Sequence, residues 1–319
     1  MVAGRYVVGV DGGASKTVAL IGTESGKVLG RGESGPSNYR NVGAAAASRA
    51  IKKAVIEAQK QTGLREVRPE TAVVALAAVD SEIDRAVALR FVRRTKIART
   101  SYVVHDSVAA LYAATQGKPG IIVISGTGCV AAGVNEAGEY ARAGGWGYLI
   151  DDEGSAFDIG RKALTRAFRM LDGRARPTNL ISILKRKFQV KMLEDALSLI
   201  YANGVSVEEV ARLASLVSRA ASRDKACKEI LNNAGITLAE LACAVARRLC
   251  MTDDSFKVAT VGGSFKSGRH LLKPFTARIK SECPRARVIR LKVEPARGAF
   301  LLAASELLNR SDHRTRSRT

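Results

Sequence analysis

The residues best placed to do chemistry come early. An apolar run, Val8-Gly9-Val10, meets Asp11. Gly12-Gly13 follow, then Ala14, Ser15, Lys16 and Thr17, and a second apolar run begins at Val18. A turn of this make-up offers backbone N–H groups and hydroxyls to a phosphate, and a carboxylate such as Asp11 can hold a hydrated divalent cation. The pattern recurs over residues 121–133, where Ser125-Gly126-Thr127-Gly128-Cys129 separates two apolar runs. Two phosphate-type hairpins in one chain suggest a nucleotide clamped between two related halves. Lys16-Thr17 does not make a P-loop. That motif needs glycine directly before the lysine and opens a helix, whereas Ser15 stands there and residues 18–22 read as a strand. An ordinary type I′ turn also accounts for Asp-Gly in a hairpin, and for the first hairpin taken alone that explanation stays open.

Three further segments carry candidate chemistry. Val103-Val104-His105-Asp106-Ser107 puts Asp106 at a strand end that opens a helix, where α/β folds place reactive groups. A helix N-cap explains the same aspartate without chemistry, and His105 reads as structural. Gly144-Gly145-Trp146-Gly147, followed by Asp151-Asp152-Glu153, gives a loop through which backbone can approach a polar ligand. Acids at a helix start are favoured by its dipole, which accounts for Asp152 and Glu153 but not for the glycines. Val261-Gly262-Gly263-Ser264, with Lys266 and Ser267 behind it, is a strand end and a glycine pair opening a helix, against which an adenine ring can lie.

These residues need a scaffold, and hydrophobic spacing supplies its outline. Strands are expected over 5–11, 16–22 and 27–33, then helix 40–62, strand 71–77, helix 81–94, strand 101–104 and helix 106–115. The order then restarts with strands 120–125, 129–134 and 139–143 and helix 153–171. A helical insertion over 178–223 follows, then helix 226–249, strand 256–261, helix 264–281, strand 286–291 and helix 296–309. This doubled order predicts two α/β domains, 1–117 and 118–319, each a mixed sheet flanked by helices, with a cleft between them. The last helix is expected to cross back onto the first domain, and residues 310–319 to form a disordered basic tail.

Composition narrows the function classes. The 319 residues are 46% hydrophobic, enough for two cores. No apolar run reaches the ~18 residues of a membrane span and no signal-peptide pattern opens the chain, so a cytoplasmic protein is expected. The net charge of +21 attracts phosphates. Only 5% of residues are aromatic and no basic-aromatic platform for bases is present, so no specific nucleic-acid partner is expected. The five cysteines form no CxxC pair and there are three histidines, so buried free thiols are expected rather than a zinc site. Cys243 and Cys250, seven apart, are placed on one face of a helix.

Taken in order, these motifs resemble those of the acetate and sugar kinase, Hsp70 and actin superfamily. More narrowly, they resemble the N-acetylglucosamine kinase branch, the BadF/BadG/BcrA/BcrD-type ATPases, which include broad-specificity hexokinases. The resemblance spans residues 5 to 305. It implies two ribonuclease H-like, actin-like ATPase domains with an interdomain cleft. Asp11, Gly12, Gly13, Ser15, Lys16 and Thr17 match the first phosphate motif, although Ala14-Ser15 replaces the usual Gly-Thr. Gly126, Thr127 and Gly128 match the second. Gly262, Gly263, Lys266 and Ser267 match the adenosine motif. Asn38, within Gly35-Pro36-Ser37-Asn38-Tyr39, matches a sugar-contacting segment, and Gly145, Trp146, Gly147 and Asp152 match the hexose loop. Asp106 falls at the catalytic aspartate.

The resemblance implies ATP and Mg²⁺ as cofactors, Asp11 holding the metal through water, and Asp106 as proton acceptor. It further implies a hexose or amino-hexose substrate, domain closure that excludes water, and a homodimer. Two rivals follow from the same resemblance. An ATPase activating a radical dehydratase or reductase would carry a cysteine-held iron–sulfur cluster, whereas the cysteines here lie in expected strands and helices. A sugar-sensing regulator would add a helix-turn-helix before the first hairpin, and only eight residues precede Gly9.

Overall fold

The computed structural model describes residues 5–64, 67–77, 79, 81–202, 204–291 and 294–316, with side chains at 202 and 307–316 left aside. Residues 1–118 with 291–319 form one compact unit, and 119–290 form another.

In the first unit, β1 (Tyr6–Gly12), β2 (Thr17–Thr23) and β3 (Val28–Ser34) make an antiparallel meander. Helix α1 (Tyr39–Lys60) then leads to β4 (Thr71–Leu76), and α2 (Glu82–Thr95) leads to β5 (Thr100–His105). The sheet order is β3-β2-β1-β4-β5, with β1, β4 and β5 parallel. Both faces of this sheet are covered, so β1 and β4 read as apolar runs rather than as alternating patterns. Val7, Val8 and Val10 are all buried, as is every residue of β4. The stripe Ala47, Ile51, Ala54, Val55 and Ala58 seats α1 on one face.

The opposite face is covered by α3 (Asp106–Thr115) and α10 (Pro295–Arg316). The approach of α10 depends on Gly9, because a Cβ there would lie 2.0 Å from the backbone nitrogen of Phe300. Phe300 itself is fully buried beneath β1. Sequence order lists α10 with the second half, whereas its contacts are with the first unit. The helix also continues to Arg316, past the expected end at 309 and through most of the segment expected as a disordered tail. Residues 317–319 of that segment lie outside the described residues.

The second unit repeats the strand plan. It comprises β6 (Gly120–Ser125), β7 (Cys129–Val134), β8 (Tyr140–Gly144), β9 (Lys257–Val261) and β10 (Arg287–Arg290), ordered β10-β9-β6-β7-β8. Its helices are α4 (Ala156–Leu171), α5 (Leu180–Phe188), α6 (Ala196–Ala202), α7 (Val207–Ala220), α8 (Lys225–Arg248) and α9 (Arg269–Glu282).

Three expected features change. The helix expected over 264–281 is a short 3₁₀ turn, Ser264–Ser267, separated from α9 by Gly268 at φ 69°. The helix expected from 153 starts at Ala156, capped by the Ser155 hydroxyl, which accepts from the Asp158 N–H. Cys250 lies beyond α8 with φ 54° and is exposed, so it does not share a helical face with buried Cys243. Cys129, Cys227 and Cys283 are buried free thiols.

Candidate active site

In the first unit, the parallel pairing of β1, β4 and β5 brings their C-terminal ends to one edge. Asp11 lies opposite Ala75, and Leu76 opposite His105. Asp106 follows directly as the first residue of α3. The cap of α3 is His105, whose Nδ1 accepts from the Ser107 N–H at 3.1 Å and lies 3.0 Å from Asp106 Oδ1. The N-cap explanation for Asp106 is thereby removed, and its carboxylate is left partly exposed at the strand ends.

Asp11 is pushed up to about 6, first by burial, then by the neighbouring charges of Asp106 and Glu294, against the opposing pull of Lys16. Glu294, just before α10, has no counterpart in the sequence reading. It accepts two hydrogen bonds from Arg31, Nη2 to Oε1 at 2.9 Å and Nε to Oε2 at 3.3 Å. Three carboxylates thus crowd the end of β1, which is the electrostatic setting that a hydrated cation relieves. Among the described residues, no group of three or more histidine, cysteine or acidic side chains is arranged to hold a metal directly.

The first hairpin is not a type I′ turn. That turn requires positive φ at both central residues, and neither Gly12 nor Gly13 has it. Gly12 still pairs with Thr17, and Gly13 N–H donates to Lys16 O at 3.0 Å, which leaves Ala14, Ser15 and Lys16 projecting. Lys16 Nζ reaches Glu33 Oε2 at 3.2 Å.

Thr17 needs correction as a phosphate group. It is fully buried, and its hydroxyl donates to Gly35 O at 2.7 Å and lies 2.8 Å from Ser37 Oγ. Gly13 O in turn accepts from the N–H groups of Ser37 and Asn38. Thr17 therefore fastens the hairpin to the segment carrying Asn38. Asn38 Oδ1 caps α1 by accepting from Arg40 N–H at 3.1 Å, and its Nδ2 has no partner among the described residues.

In the second unit, the hairpin between β6 and β7 closes with Gly126 N–H donating to Gly128 O at 2.9 Å. The α4 N-terminus donates into it, Ala156 N–H to Gly126 O at 2.8 Å. The Thr127 hydroxyl is exposed and without a partner among the described residues. Asp152, buried and held at φ 64°, accepts from Cys129 N–H at 3.0 Å. Burial is the main cause that raises its carboxyl. Its other oxygen packs where a Cβ on Gly128 would sit. Gly144, Gly145 and Gly147 all have positive φ, and Trp146 is 61% exposed with the Arg142 guanidinium 4.9 Å from its ring centre.

Gly262 ties the adenosine motif to this hairpin, because at φ 108° a Cβ would lie 2.1 Å from Ser125 O. Beside Gly263, Lys266 and Ser267 opens a cavity of about 450 Å³, whose far wall is α7, presenting Ala211, Arg212 and Ser215. The sequence reading treats this stretch as part of an insertion. Its signal lies in the small residues Ala211, Ala214, Ser215 and Ser218, which fall at i, i+3, i+4 and i+7. A helix face that small leaves room for a ligand.

Comparison with known proteins agrees with this arrangement. The description of the BadF/BadG/BcrA/BcrD ATPase family matches residues 8–303. The chain is 33% identical over 303 residues to an N-acetylmuramic acid/N-acetylglucosamine kinase of Clostridium acetobutylicum, covering 95% of this chain and 99% of that one. It is 31% identical over 308 residues to an N-acetyl-D-glucosamine kinase of Dictyostelium discoideum, covering 93% and 97%. A solved structure from Chromobacterium violaceum, a candidate N-acetylglucosamine kinase, superposes with a TM-score of 0.76 at 28% identity, over 94% of this chain and 99% of that one.

Proposed function

The chain belongs to the BadF/BadG/BcrA/BcrD ATPase family, and from its likeness to named sugar kinases we infer that it is an ATP-dependent amino-sugar kinase. It transfers the γ-phosphoryl group to a hexose hydroxyl, and the acceptor we propose is the 6-hydroxyl of N-acetylglucosamine, with glucosamine and glucose in the same class. The observation that carries this reading is the whole-length likeness to two proteins named as N-acetylglucosamine kinases.

The roles follow from the chemistry of each group. Asp106 accepts the proton of the attacking hydroxyl, a contribution of about 10²- to 10⁴-fold. Ser15, Lys16 and Thr127 position and neutralise the phosphates, since phosphoryl transfer depends on alignment and charge stabilisation, and Gly12, Gly13, Gly126 and Gly128 let the two turns come close to them. Gly262, Gly263, Lys266 and Ser267 take the adenosine together with α7. Asn38, through its unpartnered amide, and Gly145, Trp146 and Gly147 hold the ring hydroxyls, while Asp152, whose carboxylate is buried on Cys129 N–H, shapes their loop. Asp11 holds Mg²⁺ through water, where the crowding of Asp106 and Glu294 favours a cation. When bound, Mg²⁺ supplies charge neutralisation at the transferring phosphate.

Among the described residues, no helix is long and apolar enough to cross a membrane. We place the protein in the cytoplasm as a homodimer, a state that light scattering on the purified chain measures directly.

A panel of sugars with ATP, read by ADP release and by the mass of the product, tests the reading. N-acetylglucosamine-dependent ADP release with a phosphorylated sugar is the expected result. ADP release that no sugar on the panel increases would overturn it.

A further inference from the structure

A second concave site lies in the helical part of the same unit, on α5 and α7. It is a groove of about 580 Å³ with Ile183, Leu216 and Ala220 as its apolar floor. Its rim carries Arg186 and Lys187 from the last turn of α5, Arg219 from α7 and Arg223 from the turn beyond it, with Asn179 at one end. Cations in a last helical turn answer to the helix dipole, so their presence alone means little. Their convergence on one concavity is what sets them apart.

Some arginines elsewhere are ion-paired, Arg31 with Glu33 and Glu294, Arg40 with Asp84, Arg278 with Glu282, while others, such as Arg90 and Arg94 on α2, stand exposed on a convex surface. Arg186, Arg219 and Arg223 have no ion pair among the described residues. Asp224, next to Arg223, is buried and its oxygens are taken by the N–H groups of Asn179 and Cys227 and by the Thr178 hydroxyl. Among the described residues, no acidic side chain lines the groove. Lys187 also lines a neighbouring groove beside Glu209, so the weight rests on the three arginines. The Asn179 side chain makes no cap bond to α5, which leaves its amide available at the rim.

Three guanidiniums around one concavity repel each other unless an anion joins them. Arginine is also the side chain whose planar fork matches phosphate oxygens. We propose that this groove binds a small molecule bearing two or more phosphate groups, its ring or chain lying on the apolar floor. The volume fits such a ligand. The site does not depend on the kinase reading, although Arg219 also lines the cavity beside Gly263. An anion in the groove and a nucleotide in the cavity would therefore meet across α7.

The test uses the whole chain, first saturated with a non-hydrolysable ATP analogue so that any nucleotide phosphate site is filled. Inorganic triphosphate is then titrated calorimetrically at 0.15 M ionic strength, about that of a cell. One further equivalent should bind. R186A/R223A should weaken that binding at least tenfold, while its circular dichroism and analogue affinity stay as in the unaltered chain. R90A/R94A, which removes the same charge from exposed positions on α2, should leave it unchanged. Displacement by a hexose bisphosphate or by a nucleoside polyphosphate then distinguishes a sugar source from a nucleotide one. No triphosphate binding, equal binding by R186A/R223A, or equal losses in both double variants would overturn the proposal. So would short RNA binding more tightly than triphosphate with R186 and R223 intact, which would make the groove part of a nucleic-acid surface.

Discussion

The two hairpins hang on sheets of one strand order, yet their acids are handled in opposite ways. At the first, Asp11 is raised to about 6 by burial and by the charges of Asp106 and Glu294, and its carboxylate has no hydrogen-bond partner among the described residues. At the second, acids are matched to donors: Asp152 to Cys129 N–H, and Asp158 to Gly154 N–H, Arg161 and Lys162. Asp11 is left to be completed by a cation. The second is a self-satisfied frame that holds a shape. A shared topology thus leaves the chemistry to the side chains at the strand ends, as is general for α/β folds.

The largest effect should come from the crowded side. Asp106→Asn is expected to cut sugar phosphorylation more than a hundredfold, with affinity for an ATP analogue kept. Turnover near that of the unaltered chain would remove Asp106 from catalysis and with it the contrast between the hairpins. The frame should break differently. Gly262→Ala forces a Cβ toward Ser125 O at a φ of 108°, which costs about 3 kcal/mol in backbone strain. It should lower the melting temperature and weaken analogue binding about tenfold. Equal losses of turnover and of nucleotide affinity in both variants would show that the hairpins do not divide the work.

How much of this was legible in the sequence follows from how local each feature is. The hairpins and Asp106 were legible because strand, acid and glycine turn are neighbours in the chain. Two groups were not. Glu294 reaches Arg31 across 263 positions, and nothing beside it marks it, since an acid before a proline at a helix start is common. Thr17 looked like a phosphate hydroxyl because a hairpin sequence does not tell which side chains turn inward. Helix α7 was visible only as a helix. Its small face becomes a cavity wall once β9 delivers Gly263 opposite it. His105 takes the place of Asp106 as the cap of α3 because its Nδ1 accepts from Ser107 N–H, which starts the helix one residue earlier than an Asp106 cap would.

The crowding itself can be measured without substrate. A carboxyl raised in the fold from 3.8 to about 6 destabilises the folded state when ionised. The penalty is absent below pH 3.8, grows as pH rises through 6, and is complete above it. Asp11→Asn should therefore stabilise the metal-free chain by up to about 3 kcal/mol at pH 8 and by almost nothing near pH 3.5. Chemical denaturation at the two pH values, in chelator, reads the difference. Asp152→Asn should give a smaller gain at pH 8, because the Cys129 N–H already favours its carboxylate. Equal gains at both positions would erase the contrast.

The smallest effect decides what Thr17 does. Thr17→Val keeps the shape and removes the hydroxyl from Gly35 O and Ser37 Oγ in a fully buried place, which costs about 1 kcal/mol. If Thr17 fastens the 35–38 segment, the variant raises KM for the sugar, because Asn38 loosens, while KM for ATP and kcat hold. Thr17→Ser, which keeps the donor, restores the sugar KM. If instead the hydroxyl meets a phosphate, KM for ATP rises and the sugar KM stays fixed. The two outcomes fall on different substrates, so one steady-state experiment separates a fastening role from a phosphate-binding one.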